Sequence, residues 1–291
     1  MAVGARLCPT GGSTTGTKMS LKNNKSLGQH WLKDRQILDE IAELAHGDDS
    51  DSPESPLEAS ESRLCLEIGP GLGTLTSSLL RVFPRVLAVE YDKKLAENLP
   101  QSFPGKNLSV INSDFLKYDL DSIREPYIVA GNIPYYITSP IITKLLEAKN
   151  APERIVLLIQ KEVADRIAAK PGRHTVLSLF VQNRAQVSLG PVVEKGLFTP
   201  PPKIDSRVII LEPLSTPVIP DSVFPLIKRG FSAPRKKLVK NLGQIKKDEL
   251  FAILDKINVS RDARPADLSL EQWQAIADSL WFLTPQNSCQ K

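Results

Sequence analysis

The chain has 291 residues, of which 41% are hydrophobic and 24% are charged. This composition is typical of a soluble globular protein with one large core, or with one core and a smaller second domain. Thirty-seven basic against 33 acidic residues give a net charge of +4, which neither requires nor excludes a polyanionic partner. The longest uncharged stretch, Pro126 to Thr143, contains Asn132, Pro134 and Pro140, which excludes a transmembrane helix.

The cysteines provide no framework for a disulfide or a metal. Cys8, Cys65 and Cys289 are odd in number and lie far apart, and the histidines are equally scattered. This usage favours a reducing compartment, and we expect a cytoplasmic protein. No zinc or haem motif is present, and no metal site is expected.

The N-terminal part is polar. Residues 1–21 are rich in Gly, Ser and Thr and are expected to form a disordered arm, with a weak targeting segment or a true start at Met19 as alternatives. The apolar spacing from Asp34 to Leu44 predicts an amphipathic helix. Residues 47–62 carry six acidic and no basic side chains, which is typical of a solvated loop inserted before the first strand.

From Arg63, short β-branched segments alternate with helical patterns, which predicts an α/β fold with a doubly wound, mostly parallel sheet over residues 22–213. The segment Gln186 to Glu212 has no room for a crossover helix, so we expect an antiparallel edge there. The helical period after Pro213 predicts a small all-α C-terminal domain over residues 214–291. The predicted strands are Leu64–Ile68, Val86–Glu90, Leu108–Ile111, Tyr127–Ile133, Ile155–Gln160, Gln186–Leu189 and Val208–Glu212, and the predicted helices are Leu72–Val82, Lys93–Leu99, Pro140–Ala148, Glu162–Ala169, Val223–Phe231, Pro234–Leu242, Lys247–Ile257 and Ser269–Leu280.

A glycine-rich loop follows the first predicted strand. Gly69, Gly71 and Gly73 stand where the backbone must turn tightly and approach a ligand. Their spacing differs from the G-x-G-x-x-G dinucleotide fingerprint, which makes an NAD site less favoured. Glu67 would repel a pyrophosphate but attract an ammonium group, so a ligand bearing an amino acid fits better than a dinucleotide. The alternative is a turn without any ligand.

Two further carboxylates end the next two predicted strands. Glu90 stands about twenty residues after the glycines, where a carboxylate can accept hydrogen bonds from ribose hydroxyls. Asp114 can accept from an adenine amino group. Each alone is equally well explained as a helix cap or a solvated turn. Together with the glycine loop they predict an adenosine ligand across the strand ends.

The fourth predicted strand leads into Asn132-Ile133-Pro134-Tyr135, and here the sequence resembles a known family. From residue 22 to about 275 it is similar to the bacterial type of ribosomal RNA adenine N6 dimethyltransferases, which are class I, Rossmann-like methyltransferases that use S-adenosyl-L-methionine. The motifs that carry the resemblance are Lys25-Ser26-Leu27-Gly28-Gln29-His30, Glu67-Ile68-Gly69-Pro70-Gly71-Leu72-Gly73, Asn132-Ile133-Pro134-Tyr135, Gln160-Lys161-Glu162-Val163-Ala164-Asp165-Arg166, Phe198-Thr199-Pro200-Pro201-Pro202-Lys203-Ile204-Asp205-Ser206 and Arg235-Lys236-Lys237.

The chemistry of the Asn132 motif can be argued from its parts. An adenine amine is a poor nucleophile because its lone pair is delocalised into the ring. The Asn132 side-chain oxygen and the Ile133 carbonyl can each accept from one amine hydrogen and turn the lone pair towards a methyl sulfonium. Pro134 keeps the peptide rigid, and Tyr135 offers a ring for an extruded base. The alternative is an ordinary β-to-α turn.

The resemblance implies further site residues. It places Phe198 on the other face of the target adenine, and Gln29 and His30 over the methionine part of the cofactor. Asn132 is expected to lie near the cofactor as well as the base. A plain core phenylalanine and a structural histidine are the alternatives for Phe198 and His30.

A basic segment lies in the predicted helical domain. Residues 228–247 contain eight basic and no acidic side chains, a pattern that suits RNA phosphates, although a solvated face is the alternative. The RNA-binding candidates in it are Arg235, Lys236, Lys237 and Lys240, and the resemblance adds Arg166 and Lys203 near the cleft.

We therefore expect an enzyme that dimethylates two adjacent adenines of small-subunit (16S) ribosomal RNA during ribosome maturation. We expect a monomer that acts on a pre-ribosomal particle, with no membrane partner. The rivals are a large-subunit RNA or DNA adenine methyltransferase, an NAD-dependent dehydrogenase, and a non-catalytic RNA-binding assembly or transcription factor on the same scaffold. The separate basic helical domain argues against the large-subunit RNA methyltransferase and against the DNA methyltransferase.

Overall fold

The computed structural model describes residues 30–47 and 63–283, with side chains up to residue 280. The predicted arm over residues 1–21, Gln29 and most of the acidic segment lie outside this part. Strands form a two-stranded pair and a seven-stranded sheet. They are β1 (Trp31–Leu32), β2 (Leu64–Ile68), β3 (Arg85–Glu90), β4 (Leu108–Asn112), β5 (Tyr127–Asn132), β6 (Arg154–Gln160), β7 (Ala185–Val193), β8 (Phe198–Thr199) and β9 (Ser206–Pro213).

The large sheet has the order β4-β3-β2-β5-β6-β9-β7. The first five of these strands are parallel, whereas β9 is antiparallel to β6 and β7 is antiparallel to β9. This arrangement confirms the predicted α/β fold with an antiparallel edge. From β2 the chain runs outward to β3 and β4, and it then returns to the other side of β2 to form β5 and β6. The switch point of the strand order therefore lies between β2 and β5, and their carboxyl ends meet at a crevice.

The core lies on both faces of the sheet. Successive residues of a strand point to opposite faces, so Ile128 and Val129 of β5 belong to different hydrophobic clusters. All five residues of β2 are buried. A parallel strand covered on both sides needs apolar residues on both faces, which explains why β2 does not alternate with polar residues and why Glu67 is its one polar side chain.

Helices cover the two faces. Helix α1 (Arg35–His46) confirms the predicted amphipathic helix. It begins after Asp34, whose Oδ1 accepts from the Ile37 N–H at 3.0 Å. The following helices are α2 (Thr74–Val82), α3 (Lys93–Ser102), α4 (Thr138–Glu147), α5 (Lys161–Ile167) and α6 (Val176–Gln182).

Two elements were not predicted. Helix α6 has only seven residues and is held by a capping box between Thr175 and Ser178, in which the Ser178 N–H donates to Thr175 Oγ1 at 3.1 Å. Strands β1 and β8 form a two-residue antiparallel pair in which Leu32 faces Phe198. Both elements are too short to leave a periodic pattern in the sequence.

The C-terminal helices are α7 (Phe224–Gly230), α8 (Leu238–Asn241), α9 (Lys247–Lys256) and α10 (Leu270–Leu283). They pack around the fully buried Trp273. Gly230 permits this packing, because a Cβ built on it would lie 2.2 Å from Cη2 of Trp273. No helix in the two described ranges is long and apolar enough to cross a bilayer.

The predicted helix Pro234–Leu242 is wrong over its first half. Residues 232–236 form a turn in which the Lys236 N–H donates to Ala233 O at 2.9 Å, and only Leu238–Asn241 are helical. The Asn241 amide closes this turn by donating to the carbonyls of Gly230 and Ala233. The amide donors of Asn241 therefore serve the backbone.

Helix α6 joins the sheet to the C-terminal helices. Val181 packs in the sheet core, whereas Leu179 packs among the C-terminal helices. Asn183 fixes the connection, because its Oδ1 accepts from the Ile219 N–H at 2.8 Å and its Nδ2 donates to the Ile219 carbonyl at 3.1 Å.

Candidate active site

A cavity of about 300 Å³ opens at the carboxyl ends of β2, β3 and β5. This is the crevice at which open α/β sheets bind ligands. The sheet topology brings most of the predicted site residues to this one place. The lining includes His30, Glu67, Gly69, Gly71, Glu90, Asp114, Asn132, Ile133, Pro134 and Tyr135.

The glycine loop forms the floor of one half of the cavity. Gly69 and Gly71 have φ angles of +64° and +57°, which side chains rarely adopt. The Gly71 N–H donates to Oε2 of Glu90 at 2.9 Å, so the loop is tied to the end of β3. A Cβ at Gly71 would also lie 3.1 Å from the Trp31 indole nitrogen.

Gly73 has a different role from the other two glycines. It does not line the cavity, and a Cβ built on it would lie 2.6 Å from Leu99 and 2.9 Å from Phe103. Gly73 is the residue that precedes the first turn of α2, and its φ is +78°. The structure therefore places Gly73 in the packing of α2 on α3, while its predicted contact with a cofactor stays a prediction.

Glu67 is a buried acid at the cavity wall, with 1% of its surface exposed. Burial raises its pKa to about 8, although the hydrogen bond from Thr76 Oγ1 at 2.6 Å acts in the opposite direction. A neighbouring cation would favour the ionised form. The attraction of Glu67 for an ammonium group stays a prediction.

Glu90 and Asp114 lie side by side at the next strand ends. Burial raises the pKa of Glu90, and the N–H groups of Gly71 and Asp92 oppose this shift by donating to its two oxygens. The Ser113 N–H donates to the Glu90 carbonyl at 3.0 Å, which brings Asp114 next to it. Oδ1 of Asp114 accepts from the Leu116 N–H at 2.9 Å, which leaves Oδ2 for a ligand.

The other half of the cavity is built around Asn132. Its Nδ2 donates to the His30 carbonyl at 3.0 Å, so its Oδ1 remains as an acceptor. Within the described part of the chain, the Ile133 carbonyl accepts no hydrogen bond. Within the described residues, Asn132 Oδ1 and the Ile133 carbonyl therefore both lack a donor, and their predicted contact with an amine stays a prediction.

Tyr135 and His30 hold each other in place. The Tyr135 hydroxyl forms a 2.7 Å hydrogen bond with Ser206 Oγ, and its ring stacks on His30 with centroids 6.0 Å apart. His30 Nδ1 lies 2.8 Å from the Pro200 carbonyl and must be its donor. His30 therefore connects the β1–β8 pair to Asn132 and Tyr135, a role that the sequence did not indicate.

Phe198 lies elsewhere. Its side chain is 3% exposed and packs in the core beneath the sheet, and it does not line the cavity. Its register opposite Leu32 gives it a structural part in the β1–β8 pair. The contact with a target base that the resemblance implies stays a prediction.

The RNA-binding candidates are exposed. On α5, Arg166 pairs with Glu162, and Lys203 stands in the loop before β9. Lys237 pairs with Asp262 at 2.6 Å, whereas the described residues provide no ion pair for the other candidates of the basic segment, Arg235, Lys236 and Lys240.

Sequence reasoning missed two tyrosines at the cavity. Tyr91 directly follows Glu90 and Tyr136 directly follows Tyr135, and both side chains line the cavity although they are mostly exposed. Their position beside predicted site residues was the available signal. No cluster of three potential metal ligands lies within residues 30–47 or 63–283.

The strand order, the acidic glycine loop and the row of carboxylates at the strand ends define a Rossmann-like methyltransferase. The family model "Ribosomal RNA adenine dimethylase" matches residues 20–281. The chain belongs to the ribosomal RNA adenine dimethylase family.

Curated relatives agree with this assignment. The chain is 39% identical over 280 residues to ribosomal RNA small subunit methyltransferase A of Nostoc punctiforme, with 89% of this chain and 96% of the relative covered. It is 41% identical over 275 residues to the protein of the same name from Rippkaea orientalis, with 88% and 97% covered.

Solved structures are similar as well. The 23S rRNA methyltransferase ErmE is 28% identical with a TM-score of 0.68, and the match covers 86% of this chain and 99% of ErmE. A dimethyladenosine transferase from Plasmodium falciparum is 25% identical with a TM-score of 0.67, and the match covers 85% and 96%.

Proposed function

We propose that this protein transfers methyl groups from S-adenosyl-L-methionine to N6 of two adjacent adenines in small-subunit ribosomal RNA, each twice. The observation that carries the proposal is the pair of carbonyl acceptors, Asn132 Oδ1 and Ile133 O, in the same cavity as the glycine loop and its carboxylates. A non-catalytic RNA-binding protein has no use for this pair.

The residues present fit S-adenosylmethionine. Gly69 leaves open space, because a Cβ built there would have no neighbour within 4 Å, and the buried Glu67 lines the same cavity with a pKa that a cation would lower. We assign Glu67, Gly69 and Gly71 to the methionine part, Glu90 to the ribose and Asp114 to the adenine. The bound cofactor would supply an electrophilic methyl group on sulfur.

The chain itself positions the target amine. In the first transfer, Asn132 Oδ1 and the Ile133 carbonyl each accept one N6 hydrogen, which orients the nitrogen lone pair towards the methyl group. The methylated nitrogen then loses one proton to solvent. In the second transfer, the single remaining N6 hydrogen is held by one of the two acceptors. The amide of Asn132 cannot rotate freely because its Nδ2 donates to the His30 carbonyl. His30 covers one face of Tyr135, so we assign the target base to the other face.

The small-subunit assignment rests on the names of the curated relatives, which are 36–41% identical to the chain, whereas the large-subunit enzyme ErmE is 28% identical. We propose that the exposed basic residues Arg166, Lys203, Arg235, Lys236, Lys237 and Lys240 contact RNA phosphates, and that a monomer acts on a pre-ribosomal particle.

The test uses the purified full chain, S-adenosylmethionine and small ribosomal subunits from cells that lack this modification. Mass spectrometry of the digested RNA should show N6,N6-dimethyladenosine at two adjacent positions. Large subunits and Asn132→Ala protein serve as controls. Modification of large-subunit RNA alone, or none with small subunits in any assembly state, would overturn the proposal.

A further inference from the structure

Two aromatic side chains stand out on the surface of the molecule. Tyr91 is 63% exposed and Tyr136 is 65% exposed, and in the described part of the chain no other aromatic side chain is among the large exposed hydrophobic ones. Both line the same cavity, one beside Glu90 and the other beside Tyr135. Exposed residues that line a cavity stand at its rim.

The backbone explains why Tyr136 faces outwards. Tyr135–Ile137 form a turn of 3₁₀ helix, in which successive side chains point about 120° apart. Tyr135 is fixed towards Ser206 and His30, and Ile137 packs against the sheet core. Tyr136 takes the third direction, so its side chain lines the cavity and points towards solvent.

We propose that Tyr136 is an RNA-binding residue that stacks on the nucleotide next to the target adenine. The inference rests on the proposed function, because it needs an RNA base in the Tyr135 half of the cavity. We place the occupant of the Tyr136 ring on the RNA and not on the cofactor, since Tyr136 directly follows Tyr135, to which we assign the target base, whereas Tyr91 directly follows Glu90.

The physical reason is the cost of extruding a base. When one base leaves the stack, its neighbour loses contact on one face. An aromatic ring at the rim can cover that face, and such stacking is tolerant of sequence because every base has a π-face. For two adjacent target adenines, the same ring can serve whichever adenine remains outside while the other is in the cavity.

The test compares Tyr136→Phe, Tyr136→Leu and Tyr136→Ser with wild type on under-methylated small subunits. The matched control is Tyr91→Leu, which removes the other exposed ring of the same cavity. Steady-state KM for the subunits, kcat, cofactor affinity by calorimetry and thermal unfolding are measured for each protein.

We expect Tyr136→Leu and Tyr136→Ser to raise KM for the subunits by about tenfold, with kcat and cofactor affinity unchanged. Tyr136→Phe should behave like wild type, because it keeps the ring. Tyr91→Leu should weaken cofactor binding instead. An unchanged KM in the Leu and Ser variants, or a loss of cofactor affinity in them, would overturn the role of Tyr136. Absence of adenine methylation by wild type would instead refute the proposed function.

Discussion

The backbone N–H of Gly71 donates to Oε2 of Glu90 at 2.9 Å, so the carboxylate proposed to bind the ribose also holds the glycine loop. The Asp92 N–H occupies the other oxygen at 2.8 Å. A carboxylate has about four acceptor positions. Glu90 can therefore keep both backbone partners and still accept from a ligand, which couples the shape of the loop to cofactor binding.

Replacing Glu90 by Ala should weaken cofactor binding about tenfold or more, because loss of buried partners costs roughly 1–3 kcal/mol. The same change removes the acceptor of two backbone N–H groups and should lower the melting temperature. Glu90→Gln keeps one carbonyl oxygen, so its cofactor affinity and melting temperature should lie between those of wild type and Glu90→Ala. Calorimetry gives the dissociation constants, and an unchanged constant for Glu90→Ala would show that this residue does not bind the cofactor.

Asn132→Ala should abolish methyl transfer while cofactor affinity changes by no more than a few fold, because the proposed acceptor acts on the target amine. Asn132→Asp is the matched control. It keeps an oxygen at this position but loses the donor to the His30 carbonyl. Single-turnover assays give the rates, and a collapse of cofactor affinity in Asn132→Ala would contradict the assigned role.

Glu67 should make the stability of the free protein dependent on pH. Burial raises its pKa from 4.5 to about 8, so between these values the folded state keeps a proton that the unfolded state has lost. Stability should therefore fall as pH rises through this window. Glu67→Gln stays neutral and should lack this component. Melting temperatures from pH 5 to pH 8 test this, and parallel curves for the two proteins would contradict it.

The same acid should release a proton on cofactor binding near neutral pH. An ammonium group beside Glu67 favours its ionised form and lowers the pKa. Calorimetric titrations in buffers of different ionisation enthalpy measure the number of protons released. Glu67→Gln should release fewer protons than wild type, and equal release would show that another group titrates.

Gly230→Ala should destabilise the C-terminal helices. The new methyl group would lie 2.2 Å from the buried Trp273 ring, and overpacking of this kind typically costs about 1–3 kcal/mol. Gly196→Ala is the control, because a Cβ there would have no neighbour within 4 Å. Denaturant unfolding should show a lower free energy of unfolding for Gly230→Ala and an unchanged one for Gly196→Ala.

The basic segment should contribute to RNA binding through counterion release. Changing Arg235, Lys236 and Lys237 together to Gln should reduce the magnitude of the slope of log affinity against log salt by about 2, since single-stranded RNA returns about 0.7 per contact. Cofactor affinity should not change. The control is Lys106→Gln, which stands before the amino end of β4, away from the cavity. Parallel slopes for the triple variant and wild type would show that the basic segment does not contact phosphates, and these contacts would then be assigned to Arg166 and Lys203.

The sequence predicted most of the sheet and the residues that gather at its crevice, because buried parallel strands give continuous apolar segments and their ends share one edge. It did not predict the β1–β8 pair, which depends on contacts between residues distant in the chain. The structure also shows Phe198 in the core and His30 against Tyr135. The contacts that the resemblance implies for them, with a target base and with the cofactor, stay predictions. The turn before α8 was missed because Pro234 fits a helix start as well as a turn.

Helix α6 contributes Val181 to one core and Leu179 to the other. The two parts of the molecule are therefore not interchangeable building blocks. A chain cut after Pro213 would leave Leu179 facing water. A C-terminal region taken from a relative would have to pack against helix α6 of this protein. Changes in RNA preference within this fold are thus more accessible through exposed side chains than through exchange of the whole helical region.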